Sequence, residues 1–301
     1  MTQWTSRFGK RSTADEVVAD RDLSEKTVLV TGANTGIGFE TARALASRGA
    51  HTVLGCRDMS KGEDAARRVR EQHPQASVEV RALDLGEMAS VRRFADSFPA
   101  DTLDILVCNA AVYGGGYQET ADGFERTLGV CHIGHFLLTL LFLDRLRASG
   151  AGRVVMISSE SHRHPGKLNF DQLPPPQSNM AAYGQAKLCN ALFAYELQRR
   201  YGDQGITTYV VHPGALVPTE FGRHSSVARV MIWLARPFSK SVVQAAATSV
   251  LCATDPELGS LGGRYFADCQ LKESSPESRS PEVAARLWEL SEEWVGVKPP
   301  T

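Results

Sequence analysis

Between Thr27 and Val211, short apolar runs alternate with segments of helical period. They are Val28–Val30 then 38–48, Thr52–Gly55 then 59–72, Val78–Leu83 then 87–98, Ile105–Cys108 then 119–148, Val154–Ile157 then 181–202, and finally Thr207–Val211. Strands set one helix apart pair in parallel, because parallel strands need a crossover connection. The pattern predicts an α/β fold, a single doubly wound parallel sheet with helices on both faces. After Val211 come an apolar helix-like stretch, Val227–Leu234, a helix near 239–254, a short strand around Arg264–Phe266 and a helix near 281–294. Residues 1–25 are polar and read as an N-terminal arm that packs loosely or is disordered, so 26–301 carries the fold as one domain.

Several function classes drop out on composition. At 43% hydrophobic and 22% charged, the 301 residues can bury a large core. Thirty-three basic against thirty-four acidic side chains give a net charge of −1, so no overall field draws the chain to nucleic acid or an anionic membrane. The first thirty residues lack the apolar stretch of a secretory signal, and the apolar run Phe136–Leu143 is far shorter than the ~20 residues that span a bilayer. A cytoplasmic protein without a transmembrane segment is expected. The six cysteines are scattered and read as buried, reduced thiols. No metal site is expected, since His132 and His135 have no accompanying ligand cluster and read as packing or surface residues; His162 and His164 read as solvated loop residues.

Thr27 to Gly38 reads as a strand, a glycine turn and a helix start. Its glycines, Gly32, Gly36 and Gly38, follow G-x-x-x-G-x-G rather than G-x-G-x-x-G, but the task is the same. Positions without side chains let the backbone approach a pyrophosphate, and the helix N-terminus offers N–H donors and positive dipole. This makes the sheet Rossmann-type and the ligand a dinucleotide. At the end of the second strand, an acid would bind the ribose 2′-OH of NAD, whereas an arginine accommodates the 2′-phosphate of NADP. Cys56-Arg57 stands there, so NADP(H) is preferred and NAD(H) is the alternative; as a plain surface charge, Arg57 would pair with Asp58. Tyr183 and Lys187, four residues apart, share one helix face. A nearby ammonium lowers a phenol's pKa and fits it to move protons at a carbonyl oxygen.

These residues resemble the short-chain dehydrogenases/reductases over about residues 14–295. The motifs fall in that family's order: Thr31–Gly38, Asp84-Leu85, Asn109-Ala-Ala111, Ser158-Ser159, Tyr183–Lys187 and Pro213-Gly214. Asn34–Ala42 and Cys56-Arg-Asp58 look like the retinol dehydrogenase branch; Ser158–Arg163, Ala235–Lys240 and Leu261–Phe266 look like the catalytic domains of WW-domain-containing oxidoreductases, though the segment before Thr27 offers only Trp4 toward a WW module. The resemblance implies that Tyr183 protonates the carbonyl, Ser159 positions it, and Lys187 lowers the tyrosine pKa and bonds the nicotinamide ribose. Gly32, Asn34, Thr35, Gly36, Ile37 and Gly38 would cradle the cofactor. Asp84 with Leu85 would lie by the adenine, Asn109 with Ala110 by the adenosine ribose, and Pro213-Gly214 against the nicotinamide.

Two positions depart from the family pattern. Cys131 stands where an asparagine is expected to hold a water beside the lysine, and a thiol is a weaker partner. The carbonyl of residue 131 or neighbouring His132 is expected to carry that relay. A threonine or serine is expected five residues past Pro213, but Pro218 stands there, and Thr219 is the substitute. Loops 160–180 and 215–238 would build the substrate pocket, with Val227–Leu234 as an apolar lid. The sequence thus predicts a hydride-transferring oxidoreductase acting on a small lipophilic aldehyde, ketone or alcohol. The rivals are an NAD-linked alcohol dehydrogenase and a degenerate nucleotide-binding interaction protein. A homodimer through helices 125–147 and 181–202 is also implied by the resemblance.

Overall fold

A computed structural model describes residues 4–114, 116–173, 180–214 and 240–297. Seven parallel strands are β1 (Thr27–Thr31), β2 (His51–Cys56), β3 (Val78–Ala82), β4 (Ile105–Cys108), β5 (Gly152–Ile157), β6 (Ile206–His212) and β7 (Arg264–Ala267). An antiparallel edge strand, β8 (Gln270–Lys272), was not expected and completes the order β3-β2-β1-β4-β5-β6-β7-β8. The central strands are buried on both faces, which is why runs such as Ile105–Cys108 are apolar throughout instead of alternating. Strand order reverses between β1 and β4, and in such sheets ligands bind beyond the strand C-termini at this switch point.

Eight helices occur among the described residues: α1 (Ala14–Val18), α2 (Gly36–Ala46), α3 (Met59–Gln72), α4 (Met88–Asp96), α5 (Arg126–Ala148), α6 (Met180–Tyr201), α7 (Val242–Thr254) and α8 (Pro281–Val295). Helices α4, α5, α6 and α8 supply one core, around Phe94, Phe136, Leu192 and Trp288. Helices α1, α2, α3 and α7 supply the other, around Val17, Leu45, Val69 and Val250. All six cysteines are buried and free. Helix α5 alone among the described residues is long and apolar enough to cross a membrane, and 89% of its most apolar window is packed inside the fold.

The N-terminal segment differs from the expected loose arm. Thr13 and Glu16 form a capping box for α1, which buries Ala14, Val17 and Val18. Asp15 lies 2.7 Å from Arg43 of α2, and the Trp4 ring meets Phe266 edge-on at 5.8 Å. The helix expected from 119 begins instead at Arg126. Glu119 and Glu125 form an antiparallel bridge, and the Glu125 carboxylate accepts the Leu128 N–H at 2.9 Å, capping α5 there. Within α5, Gly129–Ile133 is a widened π turn, and Cys131 sits in its middle. In 160–180 the described residues form short 3-10 turns, Glu160–Arg163 and Phe170–Gln172. Pro218, Thr219, Val227–Leu234 and the 215–238 loop lie outside the described residues.

Candidate active site

Beyond the C-termini of β1, β2, β4, β5 and β6 lies a cavity of about 700 Å³. Its floor is the turn from β1 into α2. Gly32 and Gly36 take positive φ (65° and 60°), and Gly32 lies so near the chain after β4 that a Cβ would come within 3.0 Å of Ala110. At Gly38 a Cβ would sit 2.5 Å from the Gly32 carbonyl oxygen and collide with the Asn109 amide. Asn109 fixes this arrangement by donating to Thr31 O at 2.9 Å, while its own N–H goes to Thr31 Oγ1 at 2.9 Å. Thr35 precedes α2 without capping it, so the first N–H groups of the helix face the cavity with no side-chain acceptor. Asn34, Thr35 and Ile37 line the same floor.

At one side Asp84 and Leu85 reach the cavity, with Asp84 Oδ1 accepting the Gly86 N–H at 2.8 Å. Arg57 lies at the rim just past β2 and is exposed. Asp58 is not its partner but turns into α3, capping it through the Lys61 N–H and pairing with Lys61 at 3.2 Å. Among the described residues, the one that follows β2 at this rim is therefore an arginine and not a carboxylate.

At the other side stand the catalytic candidates. Ser158 is buried and donates to the Lys187 carbonyl at 2.8 Å, which fastens β5 to α6. Both serines line the cavity, and Ser159, the less buried of the two, interacts with the Tyr183 hydroxyl. Lys187 is 1% exposed, and its ammonium donates to Ile157 O at 3.0 Å. Burial holds its pKa below the ordinary lysine range. Two ammonium N–H donors remain in a cavity wall, a donor set suited to sugar hydroxyls.

Three expectations change. Burial raises the Tyr183 pKa above its ordinary value, with neighbouring Ser159 opposing. The lowering expected from Lys187 does not prevail, because the ammonium is turned to Ile157 and lies 5.6 Å from the ring centroid. Cys131 is fully buried behind the wall, its thiol 3.9 Å from Val112 O and its carbonyl accepting from His135 Nδ1 at 2.9 Å. His132 carries no relay: its Nε2 bonds Ser291 of α8 at 2.9 Å, on the far side of the helix.

His162 and His135, read as solvated and as packing or surface residues, are buried connectors. Ser275 N–H donates to His162 Nε2 at 3.0 Å, which assigns the ring proton to Nδ1. That proton bonds Ser159 O at 2.6 Å, holding the backbone of the cavity serine. Thr31 Oγ1 already accepts from Asn109 and Ala110 N–H groups, so it donates to His135 Nε2 at 2.8 Å. His135 thereby links the glycine turn to the π turn of α5. Helical spacing alone carries no signal for either role, because one partner of each, Ser275 and Thr31, lies more than a hundred residues away in sequence. The cavity also gains apolar residues not foreseen, notably Val112, Tyr113 and Val130, beside Met180 at the end of the expected 160–180 loop; the Tyr113 ring meets Tyr183 edge-on at 5.5 Å.

The family model for short chain dehydrogenases matches residues 26–228. The WW domain-containing oxidoreductase of Danio rerio is 47% identical over 300 residues, covering 96% of this chain and 73% of that protein. Human retinol dehydrogenase 12 is 47% identical over 280 residues, covering 92% and 88%. Among solved structures, an uncharacterized protein from Mycobacterium paratuberculosis aligns with a TM-score of 0.76 at 34% identity, covering 97% of this chain and all of that one. A gluconate 5-dehydrogenase from Burkholderia cenocepacia, solved with NADP and tartrate, shares the fold at a TM-score of 0.66 and 23% identity over 84% of this chain and 96% of its own. The side-chain-free turn, the uncapped helix start and the Ser159–Tyr183–Lys187 wall thus occur in a chain that belongs to the short-chain dehydrogenase/reductase family and is an NAD(P)-dependent oxidoreductase.

Proposed function

We propose that this protein reduces a hydrophobic aldehyde or ketone with NADPH, and reversibly oxidises the corresponding alcohol. The observation that carries this reading is that Ser159, Tyr183 and Lys187 stand in the wall of the same cavity that the glycine turn floors. A bound nicotinamide dinucleotide supplies the hydride. Arg57 would take the 2′-phosphate, the Gly32–Gly38 turn the pyrophosphate, and Lys187 the nicotinamide ribose. Ser159 orients the substrate carbonyl oxygen, and the Tyr183 hydroxyl gives it a proton as charge develops there. His162 keeps Ser159 in place from behind. Met180 and Tyr113, 52% and 37% exposed, flank Tyr183 with Val112 and Val130, an apolar margin that favours a lipophilic substrate. The same reading places the enzyme in the cytoplasm, supported by six free, buried thiols.

The test is oxidation of NADPH with a panel of aliphatic, aromatic and retinoid aldehydes. The expected result is turnover that falls by about 10²–10⁴-fold in Tyr183→Phe while NADPH binding persists. Binding of NADPH without turnover of any carbonyl compound would overturn the enzyme reading in favour of a nucleotide-binding interaction protein.

A further inference from the structure

Below the end of β6, outside the residues assigned above, a buried lysine is paired with a half-buried aspartate. Lys240 is 4% exposed, and its Nζ is 2.8 Å from Asp268 Oδ1 and 3.4 Å from the Pro213 carbonyl oxygen. Its stem is pressed against the next residue: a Cβ on Gly214, whose φ is +119°, would come within 2.6 Å of Lys240 Cδ. The Pro213–Gly214 turn, part of the cavity wall, therefore rests on one lysine side chain.

The partner carboxylate is held by an unusual turn. Asp268 and Cys269 join β7 to β8 as a two-residue hairpin with φ of 56° and 57°. Turns of this hand favour Asn or Asp followed by Gly, because both residues are left-handed. Cysteine stands at the glycine position, where its N–H donates to Thr248 Oγ1 of α7 at 3.0 Å and its thiol lies 3.7 Å from the same oxygen. Asp268 also meets Lys272 at 2.9 Å, so the carboxylate is held between two ammonium groups. A buried ion pair seldom adds stability over apolar residues of similar volume. Filling the space beneath Gly214 does not require a charge.

We infer that Lys240 and Asp268 are positioning residues: a clamp that fixes the Pro213–Gly214 turn on the nicotinamide side of the cavity. This rests on the function proposed above. The turn cannot swing without either breaking this ion pair or rotating a lysine stem out of contact with Gly214.

The test is the double variant K240M/D268G, with K240M and D268N alone as companions. Removing both charges leaves no unpaired buried ion, methionine replaces the stem, and glycine accepts the left-handed turn, so the denaturant midpoint of the double variant is expected at or above that of wild type. Its NADPH dissociation constant, read by protein fluorescence, is expected to rise about tenfold, equivalent to about 1.4 kcal/mol. Its kcat is expected to fall about 10- to 100-fold, as for a displaced reacting centre. Wild-type NADPH affinity and kcat in the double variant would overturn the clamp, as would losses across the three variants that merely track their stabilities. If the wild-type protein turns over no carbonyl compound, the proposed reaction fails instead, and the NADPH affinities still decide whether the clamp exists.

Discussion

His135 offers a quantitative test, because its burial and both its bonds predict how stability depends on pH. The ring is fully buried, and burial lowers its pKa from 6.5 to about 4, with the Lys187 ammonium adding a smaller push and the Cys131 carbonyl opposing. The sign follows from linkage. Between pH 6.5 and 4 the unfolded chain binds a proton at this site that the folded chain refuses, so stability is full above pH 6.5 and falls with acidification. At 1.36 kcal/mol per unit, the loss between pH 7 and pH 4 is about 3 kcal/mol from this residue. His135→Phe removes the titration and both hydrogen bonds, leaving the Cys131 carbonyl unpaired, at a cost of about 1–3 kcal/mol near neutrality. Urea unfolding of both proteins at pH 7 and pH 4 isolates the effect, since other groups cancel in the double difference. The variant should be less stable at pH 7 yet lose about 3 kcal/mol less on acidification. An unchanged pH dependence would refute the buried, neutral bridge between Thr31 and Cys131.

The cofactor residues give further expectations. Arg57→Ala should raise KM for NADP(H) by about tenfold with little change for NAD(H), the lower end of a charged hydrogen bond's worth because the guanidinium is exposed; the effect should shrink at high salt. Steady-state kinetics with both cofactors decide it, and equal effects on both would remove the 2′-phosphate role. Gly38→Ala forces apart Asn109 and the Gly32 carbonyl, a strain of about 1–3 kcal/mol that should weaken NADPH binding by about 5- to 100-fold in a fluorescence titration. Cys131→Asn should raise kcat, since an amide in the π turn is a better partner beside Lys187 than a thiol whose contact is at 3.9 Å; unchanged kinetics would show that position 131 is no constraint on turnover.

What the sequence revealed was whatever local spacing controls. The strand–helix alternation placed β1 to β6 within one or two residues, because the central strands, buried on both faces, are apolar runs, while edge strand β3 (Val-Glu-Val-Arg-Ala) alternates. The glycine turn was legible because contact with a phosphate requires absent side chains, and Tyr183 with Lys187 because helical geometry fixes their shared face. Long-range pairing had no such signature. Whether His162 is solvated or holds Ser159 depends on Ser275, 113 residues away. The Tyr183 pKa depends on how completely the wall encloses it, which spacing does not encode. The Thr13–Glu16 capping box, by contrast, was readable and would have marked α1 as ordered.

The C-terminal helix bears on how copies of this chain could meet. The resemblance placed a homodimer face on helices 125–147 and 181–202, which correspond to α5 and α6. In the folded chain α8 packs mainly on α6 and touches the start of α5: Trp288 meets Phe193 at 5.6 Å and Phe136 at 5.1 Å, and the Arg200 guanidinium lies 4.7 Å from the Trp288 ring centroid. His132 of the π turn is bonded to Ser291 of the same helix. These contacts tie the π turn that shapes the site to the C-terminal helix of its own chain.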